Sequence, residues 1–213
     1  MLDKRLALDI LYEDEWFAVV NKPANCLSVP GRGADKLDSI LHRAEQEFGK
    51  AFTIHRLDEA TSGLILVAKT HECQKRMNAY FREREVQKEY RALLRGKLLG
   101  QRGEVRKPLR CDWPNRPRQI VCTDEWSKDS ITFWEPIAYE GNTTRVRLTP
   151  YTGRSHQLRV HMQSIGHSII GDEFYDDQYS LENDPRLLLH AYRLEFRHPF
   201  TKAWVAFVAA CPF

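Results

Sequence analysis

The nine residues His55-Arg56-Leu57-Asp58-Glu59-Ala60-Thr61-Ser62-Gly63 gather a carboxylate, a guanidinium and two hydroxyls immediately before the apolar run Leu64 to Ala68. Polar groups collected at the mouth of a buried strand are what an active site requires. Within that segment Asp58 has the chemistry of a nucleophile, a general base or an anchored counter-ion, and residue type alone does not separate those roles. A purely structural alternative exists, an Asx-turn in which Asp58 bonds the backbone near Thr61. Further along the chain, Tyr90 lies in the run Gln87 to Arg95 and Arg159 in the run Ser155 to Ile165. Leu158 and Val160 are apolar, so Arg159 lies to one side of them.

These residues need elements to hold them. Trp16 to Asn21 is rich in strand formers and stops at Pro23, and Leu64 to Ala68 reads as a second buried strand. Between them Asp38 can cap a helix through Ile40, Leu41, Ala44 and Phe48 that ends at Gly49. His71 to Arg84 is an amphipathic, charged helix. Gln87 to Arg95 alternates as a strand and carries Tyr90. From Gly96 to Lys128, Pro108, Pro114 and Pro117 interrupt any period, which predicts short strands and loops. Ile131 to Ile137 and Thr144 to Pro150 form a hairpin across Glu140-Gly141-Asn142. A helix from Ser155 to Ile165 with Ser155 near its cap follows, then strands at Leu187 to Phe196 and Ala203 to Ala209. Strands outnumber helices and neighbours are tightly connected, so the fold class is α+β with a largely antiparallel sheet.

With 213 residues, 42% of them apolar, the chain can bury one good core or two small lobes sharing a cleft. One domain over 1–213 is the default, because no repeat, low-complexity tract or linker divides it. Charges interrupt the N-terminus too early for a signal peptide, and the longest uncharged apolar run, Trp204 to Cys211, is far short of the ~20 residues a membrane helix needs. A cytoplasmic protein with no membrane partner is expected. Five cysteines without a Cys-x-x-Cys pair suggest free thiols, and His156 and His161 lack the intervening carboxylate of a zinc peptidase motif, so no metal site is expected. The net charge of +3 hides an uneven distribution. Arg82 to Arg118 holds twelve Lys or Arg against five acids, Arg145 to His161 holds four Arg and no acid, and Asp172 to Asp184 holds six acids and no base. Such separation can focus a positive field on one face and attract polyanions, and it also fits ordinary solvated faces.

His-Arg-Leu-Asp-x-x-Thr-Ser-Gly, as it stands from His55 to Gly63, resembles the signature of the RluA family of RNA pseudouridine synthases. Lys88 to Ala92 resembles the family's second motif and Thr152 to His161 its third. Val19-Val20-Asn21-Lys22-Pro23 and Ile169-Ile170-Gly171-Asp172 are also similar to family segments, so the resemblance runs from about Leu11 to the C-terminus. It implies a pseudouridine synthase catalytic fold, a mixed and largely antiparallel sheet with flanking helices and an active-site cleft, and a cofactor-independent isomerase that re-attaches uracil to its ribose through carbon. The resemblance makes Asp58 the catalytic aspartate, Tyr90 the ring that packs on the target base, and Arg159 the ion-pair partner of Asp58. Arg56 becomes the side chain that fills the stack when the uridine flips out, since the reacting atoms are inaccessible inside a helix; His55 and Arg154 join it as RNA-binding residues.

Many relatives carry an N-terminal S4-type RNA-binding domain, whereas here the catalytic region begins almost at once and a single domain is expected to recognise RNA. Cys111-Asp112-Trp113-Pro114-Asn115-Arg116-Pro117 resembles a segment of a dual-specificity family member that modifies a large-subunit rRNA hairpin and the anticodon stem-loop of several tRNAs. Trp113 and Arg116 are therefore expected to contact rRNA and tRNA stem-loops, with the protein acting as a monomer. Two other classes remain open from residues alone: a non-catalytic RNA-binding module using the basic 82–118 strip, and a hydrolase that releases free uracil with the same carboxylate.

Overall fold

The computed structural model describes residues 7–33 and 36–213. In chain order its elements are β1 (Ile10–Glu13), β2 (Phe17–Lys22), α1 (Ile40–Phe48), β3 (Phe52–Thr53), β4 (Ser62–Ala68), α2 (His71–Glu83), β5 (Gln87–Arg95), β6 (Gly103–Arg106), β7 (Leu109–Cys111), β8 (Gln119–Val121), β9 (Ile131–Glu140), β10 (Thr143–Pro150), α3 (Gln157–Gln163), β11 (Leu189–Arg197) and β12 (Trp204–Val208). The class is α+β, as the alternating and tightly connected strands require. None of the helices is long and apolar enough to cross a membrane among the described residues.

Contacts gather into two compact units, one of residues up to Lys88 with His190–Pro212, the other of Glu89–Leu189 with Phe213. The boundaries fall inside β5 and β11, so no linker marks them and the sequence shows no break.

The first unit is a sheet in the order β1-β2-β4-β11, with β12 on β11 and β3 on β4. All these pairs are antiparallel except β4 with β11, where Ser62 faces His190 and Gly63 faces Ala191. Every residue of β4 is buried, which explains its unbroken apolar run. Its core joins Phe17, Val19, Leu64 and Leu66 to Met77 of α2 and Phe196 of β11. Gly63 has φ of 107°, and a Cβ there would lie 2.3 Å from the Ala191 carbonyl oxygen, so the close approach of β4 to β11 admits only glycine. The cap of α1 is Ser39, whose hydroxyl accepts from the His42 N–H at 3.2 Å. Asp38, the expected cap, is instead engaged by Arg43 at 2.7 Å: both residue types cap well, and only the one with extended backbone directly before Ile40 can do so.

The second unit is an antiparallel sheet in the order β5-β10-β9-β6 and a separate β7-β8 ribbon. Gln87–Arg95 forms the strand its alternation predicts, and β9 and β10 make the expected hairpin with Glu140 opposite Thr143. The third helix is shorter than expected. It begins at Gln157, not Ser155, because His156 takes a left-handed conformation with φ of 52°, which helical residues do not adopt. Strands β1 and β3 had no counterpart in the sequence reading; β3 is only two residues long and offers no period to read.

Candidate active site

The loop from His55 to Thr61 belongs to the first unit and is fastened along its length. Ser28 Oγ accepts from the Leu57 N–H at 3.0 Å and donates to the Leu57 carbonyl at 2.7 Å. Lys22, fully buried, donates from Nζ to the carbonyls of Pro23 at 3.0 Å, Cys26 at 2.6 Å and Glu59 at 2.8 Å. The Cys26 N–H adds a bond to the Glu59 carbonyl at 3.3 Å. The two residues that flank Asp58 are thus pinned through their backbones, Leu57 from one side chain and Glu59 from another. A turn closes the loop, with the Thr61 N–H donating to the Asp58 carbonyl at 3.1 Å. Behind it, Ser62 Oγ lies 2.8 Å from His190 Nδ1 and His190 Nε2 lies 3.3 Å from the Ala209 carbonyl. Donation from Nε2 to that carbonyl leaves Nδ1 to accept the Ser62 proton. Asp58 is half-buried and Arg56 exposed, so the loop presents its charges on a backbone that other side chains immobilise. Pre-organisation of this kind is what a reacting carboxylate needs.

His55 serves the fold. Its Nε2 accepts the Leu66 N–H at 3.0 Å, which fixes the neutral tautomer, and its ring stacks on Phe81 at 4.6 Å and 23°. Burial, reinforced by the positive charge of Lys88, pushes its pKa down to about 3. The unfolded imidazole, at about 6.5, takes a proton that the folded one refuses, so this residue contributes stability above that range that is lost as pH falls from 6.5 toward 3. In His55→Gln, whose amide oxygen can still accept from Leu66, the urea midpoint should decline less over that interval than in the wild type. RNA affinity at neutral pH should stay within two-fold or so. A steep parallel decline in both proteins, or a large loss of affinity, would assign His55 to RNA instead.

The remaining expected residues lie in the second unit. Tyr90 is half-buried on β5, opposite Leu148 of β10. Arg159 is only 2% exposed on α3. Its Nε and Nη2 donate to Asp172 Oδ2 at 2.8 Å and Oδ1 at 2.7 Å, and the guanidinium lies 5.3 Å from the Phe174 ring and 5.2 Å from the Tyr175 ring. The Phe174 and Tyr175 N–H groups, at 3.0 and 3.2 Å, also donate to Asp172 Oδ1. Gly171 permits this arrangement: at φ of 78° its missing Cβ would sit 1.9 Å from the Arg186 carbonyl oxygen.

The start of α3 is locked by Gln157. Its Oε1 accepts from Thr152 Oγ1 at 2.7 Å and from the Arg154 N–H at 3.0 Å, while its Nε2 donates to the Ile131 carbonyl at 2.9 Å. Arg154 itself is exposed and its Nε donates to the Asp129 carbonyl at 3.3 Å. Trp113, 64% exposed on a 3-10 turn between β7 and β8, carries the Arg116 guanidinium over its ring at 4.9 Å. The two form one cationic, aromatic surface, suited to unpaired bases and phosphates.

Three residues of this machinery were not singled out from the sequence: Lys22, Ser28 and Asp172. The signals for two of them were present, a lysine closing an apolar strand before Pro23 and an aspartate directly after Ile169-Ile170-Gly171. Ser28 gave none, since a serine in a loop is unremarked by type.

Residues 16–164 match the RNA pseudouridylate synthase family. The chain is 49% identical over 203 residues to the dual-specificity RNA pseudouridine synthase RluA of Pasteurella multocida, covering 95% of this chain and 92% of that protein. It is 49% identical over 193 residues to the protein of the same name from Escherichia coli K12, covering 90% and 88%. Among solved structures it resembles human RNA pseudouridylate synthase domain containing 1, with a TM-score of 0.81 and 29% identity over 100% of this chain and 87% of that one. Human RNA pseudouridylate synthase domain containing 4 shares the fold, with a TM-score of 0.77 and 24% identity over 95% and 88%. The signature around Asp58, the match across both units and the near-full-length identity converge: the chain belongs to the RNA pseudouridylate synthase family.

Proposed function

We propose that this protein isomerises specific uridines to pseudouridine in a large-subunit rRNA hairpin and in tRNA anticodon stem-loops. The observation that carries the reading is identity of 49% across 92% of a relative named as a dual-specificity RNA pseudouridine synthase. In the reaction the N1–C1' bond of uridine breaks, a C5–C1' bond forms, the C5 proton leaves and N1 gains a proton, so nothing is released. Asp58 acts on the ribose, by addition at C1' or by removing a proton so that a glycal forms; both routes use the carboxylate. Tyr90 packs on the flipped base and assists proton transfer from C5. Arg159, held in place by Asp172, pairs with Asp58 and aims its carboxylate. The chain is proposed to act in the cytoplasm as a monomer, without a cofactor.

The test uses purified protein and two short synthetic stem-loops, one from each RNA class, read by a pseudouridine-specific chemical assay. Both should be modified, and no uracil should appear in the small-molecule fraction. Binding without pseudouridine would leave only an RNA-binding module, and free uracil would make the protein a hydrolase. In the same assay Arg56→Ala should lose about 10- to 100-fold on both hairpins, because nothing then fills the gap left by the flipped nucleotide. Substitutions at Trp113 or Arg116 should instead change the ratio of the two initial rates, as expected of side chains that read hairpin shape and backbone. Full activity of Arg56→Ala on both RNAs would assign the inserted side chain elsewhere.

A further inference from the structure

We propose that Lys88 binds a backbone phosphate of the RNA beside the flipped uridine, an inference that rests on the function proposed above and adds a contact to it. Most cations of the first unit that lie in or near its core have partners: Lys22 has its three carbonyls, Lys69 meets Glu13 at 2.7 Å and Arg43 meets Asp38 at 2.7 Å. Lys88 is half-buried and has no ion pair or hydrogen bond among the described residues. Its ammonium lies 6.0 Å from the centre of the Phe81 ring, and that ring is stacked on His55. His55 cannot balance it, since its acceptor nitrogen is occupied by the Leu66 N–H. The other nearby charge, Arg84, has the same sign, and burial together with Arg84 holds the Lys88 pKa below the ordinary lysine range.

A cation withdrawn from water without a counter-ion is unfavourable, and beyond the Phe81 ring no carboxylate among the described residues of its unit pairs with it. An apolar side chain of similar length would pack on Phe81 at no such cost. The missing partner is therefore an anion that arrives from outside and favours the charged form of the amine. Position identifies the anion. Lys88 stands two residues before Tyr90 on β5, so the two side chains leave the same face of the strand about 7 Å apart. A nucleotide whose base meets Tyr90 has its backbone within reach of the lysine arm.

The experiment compares wild type, Lys88→Met and Lys88→Arg as full chains. Initial rates are measured against stem-loop concentration, and RNA affinity across a salt series. Lys88→Met should raise KM and Kd about 10-fold and leave kcat within about 3-fold. Its plot of log affinity against log salt should be shallower by about 0.7 to 0.9, the loss of one phosphate contact. Lys88→Arg should recover both affinity and slope, and the Tm of Lys88→Met should equal or exceed that of the wild type. A lower Tm with unchanged slope would make Lys88 structural and overturn the proposal; so would a fall in kcat at constant KM, which would place the amine in proton transfer. If the wild type forms no pseudouridine, the enzymatic reading fails, while the salt slopes still decide whether Lys88 holds a phosphate.

Discussion

Asp58→Asn is expected to reduce pseudouridine formation by at least about a thousandfold while RNA affinity stays within a few-fold. The substitution keeps the shape of the side chain and removes its charge, which both routes at the ribose require. The braced loop makes this a clean experiment. Leu57 is held by Ser28, Glu59 by Lys22 and by the Cys26 N–H, and the turn is closed through the Asp58 main-chain carbonyl. None of these bonds uses the Asp58 carboxylate, so the backbone should survive the change. Single-turnover measurement at saturating RNA separates the chemical step from binding. Appreciable turnover by the variant would remove Asp58 from the reaction, and a large loss of affinity without loss of single-turnover rate would reduce it to a binding group.

Period and composition exposed the parts of the fold that they determine. Gln87–Arg95 alternates toward its end because Ala92 and Leu94 are buried between half-buried neighbours, and Leu64 to Ala68 is unbrokenly apolar because every residue of β4 is buried. Asp58 stood out as the candidate because a polar cluster before such a strand is unusual, and because its residues match a known signature. What stayed hidden depends on residues distant in the chain. Asp172 is thirteen positions from Arg159, and no helical or strand period links them. Lys22 reaches Glu59 over thirty-seven positions, and neither its place at the end of a strand nor its family-like segment reveals that reach. His55 differs again. Its place in the signature suggested contact with RNA, yet its acceptor nitrogen and its ring face are both taken by the protein.

The Arg159–Asp172 pair should prove indispensable in two separable ways. Asp172 is fully buried and Arg159 nearly so, so Asp172→Asn takes from the buried guanidinium the carboxylate that grips both its Nε and Nη2. Breaking one half of a buried pair costs about 3–5 kcal/mol, enough to lower the Tm by several degrees or more. Activity should fall with it, because the same carboxylate orients Arg159 and accepts the N–H groups of Phe174 and Tyr175. Stability and activity then need to be parted. Replacing both members by apolar residues of similar size, Arg159→Met with Asp172→Leu, removes both charges of the pair together, and such exchanges are often neutral or stabilising. The double variant should therefore regain most of the lost Tm and remain at least about a hundredfold below the wild type in turnover, because the cation proposed to serve Asp58 is gone. Thermal melts and single-turnover rates on one stem-loop give both quantities. Recovery of activity together with stability would show that the pair only holds α3 in place, and Arg159 would then have no part in the chemistry.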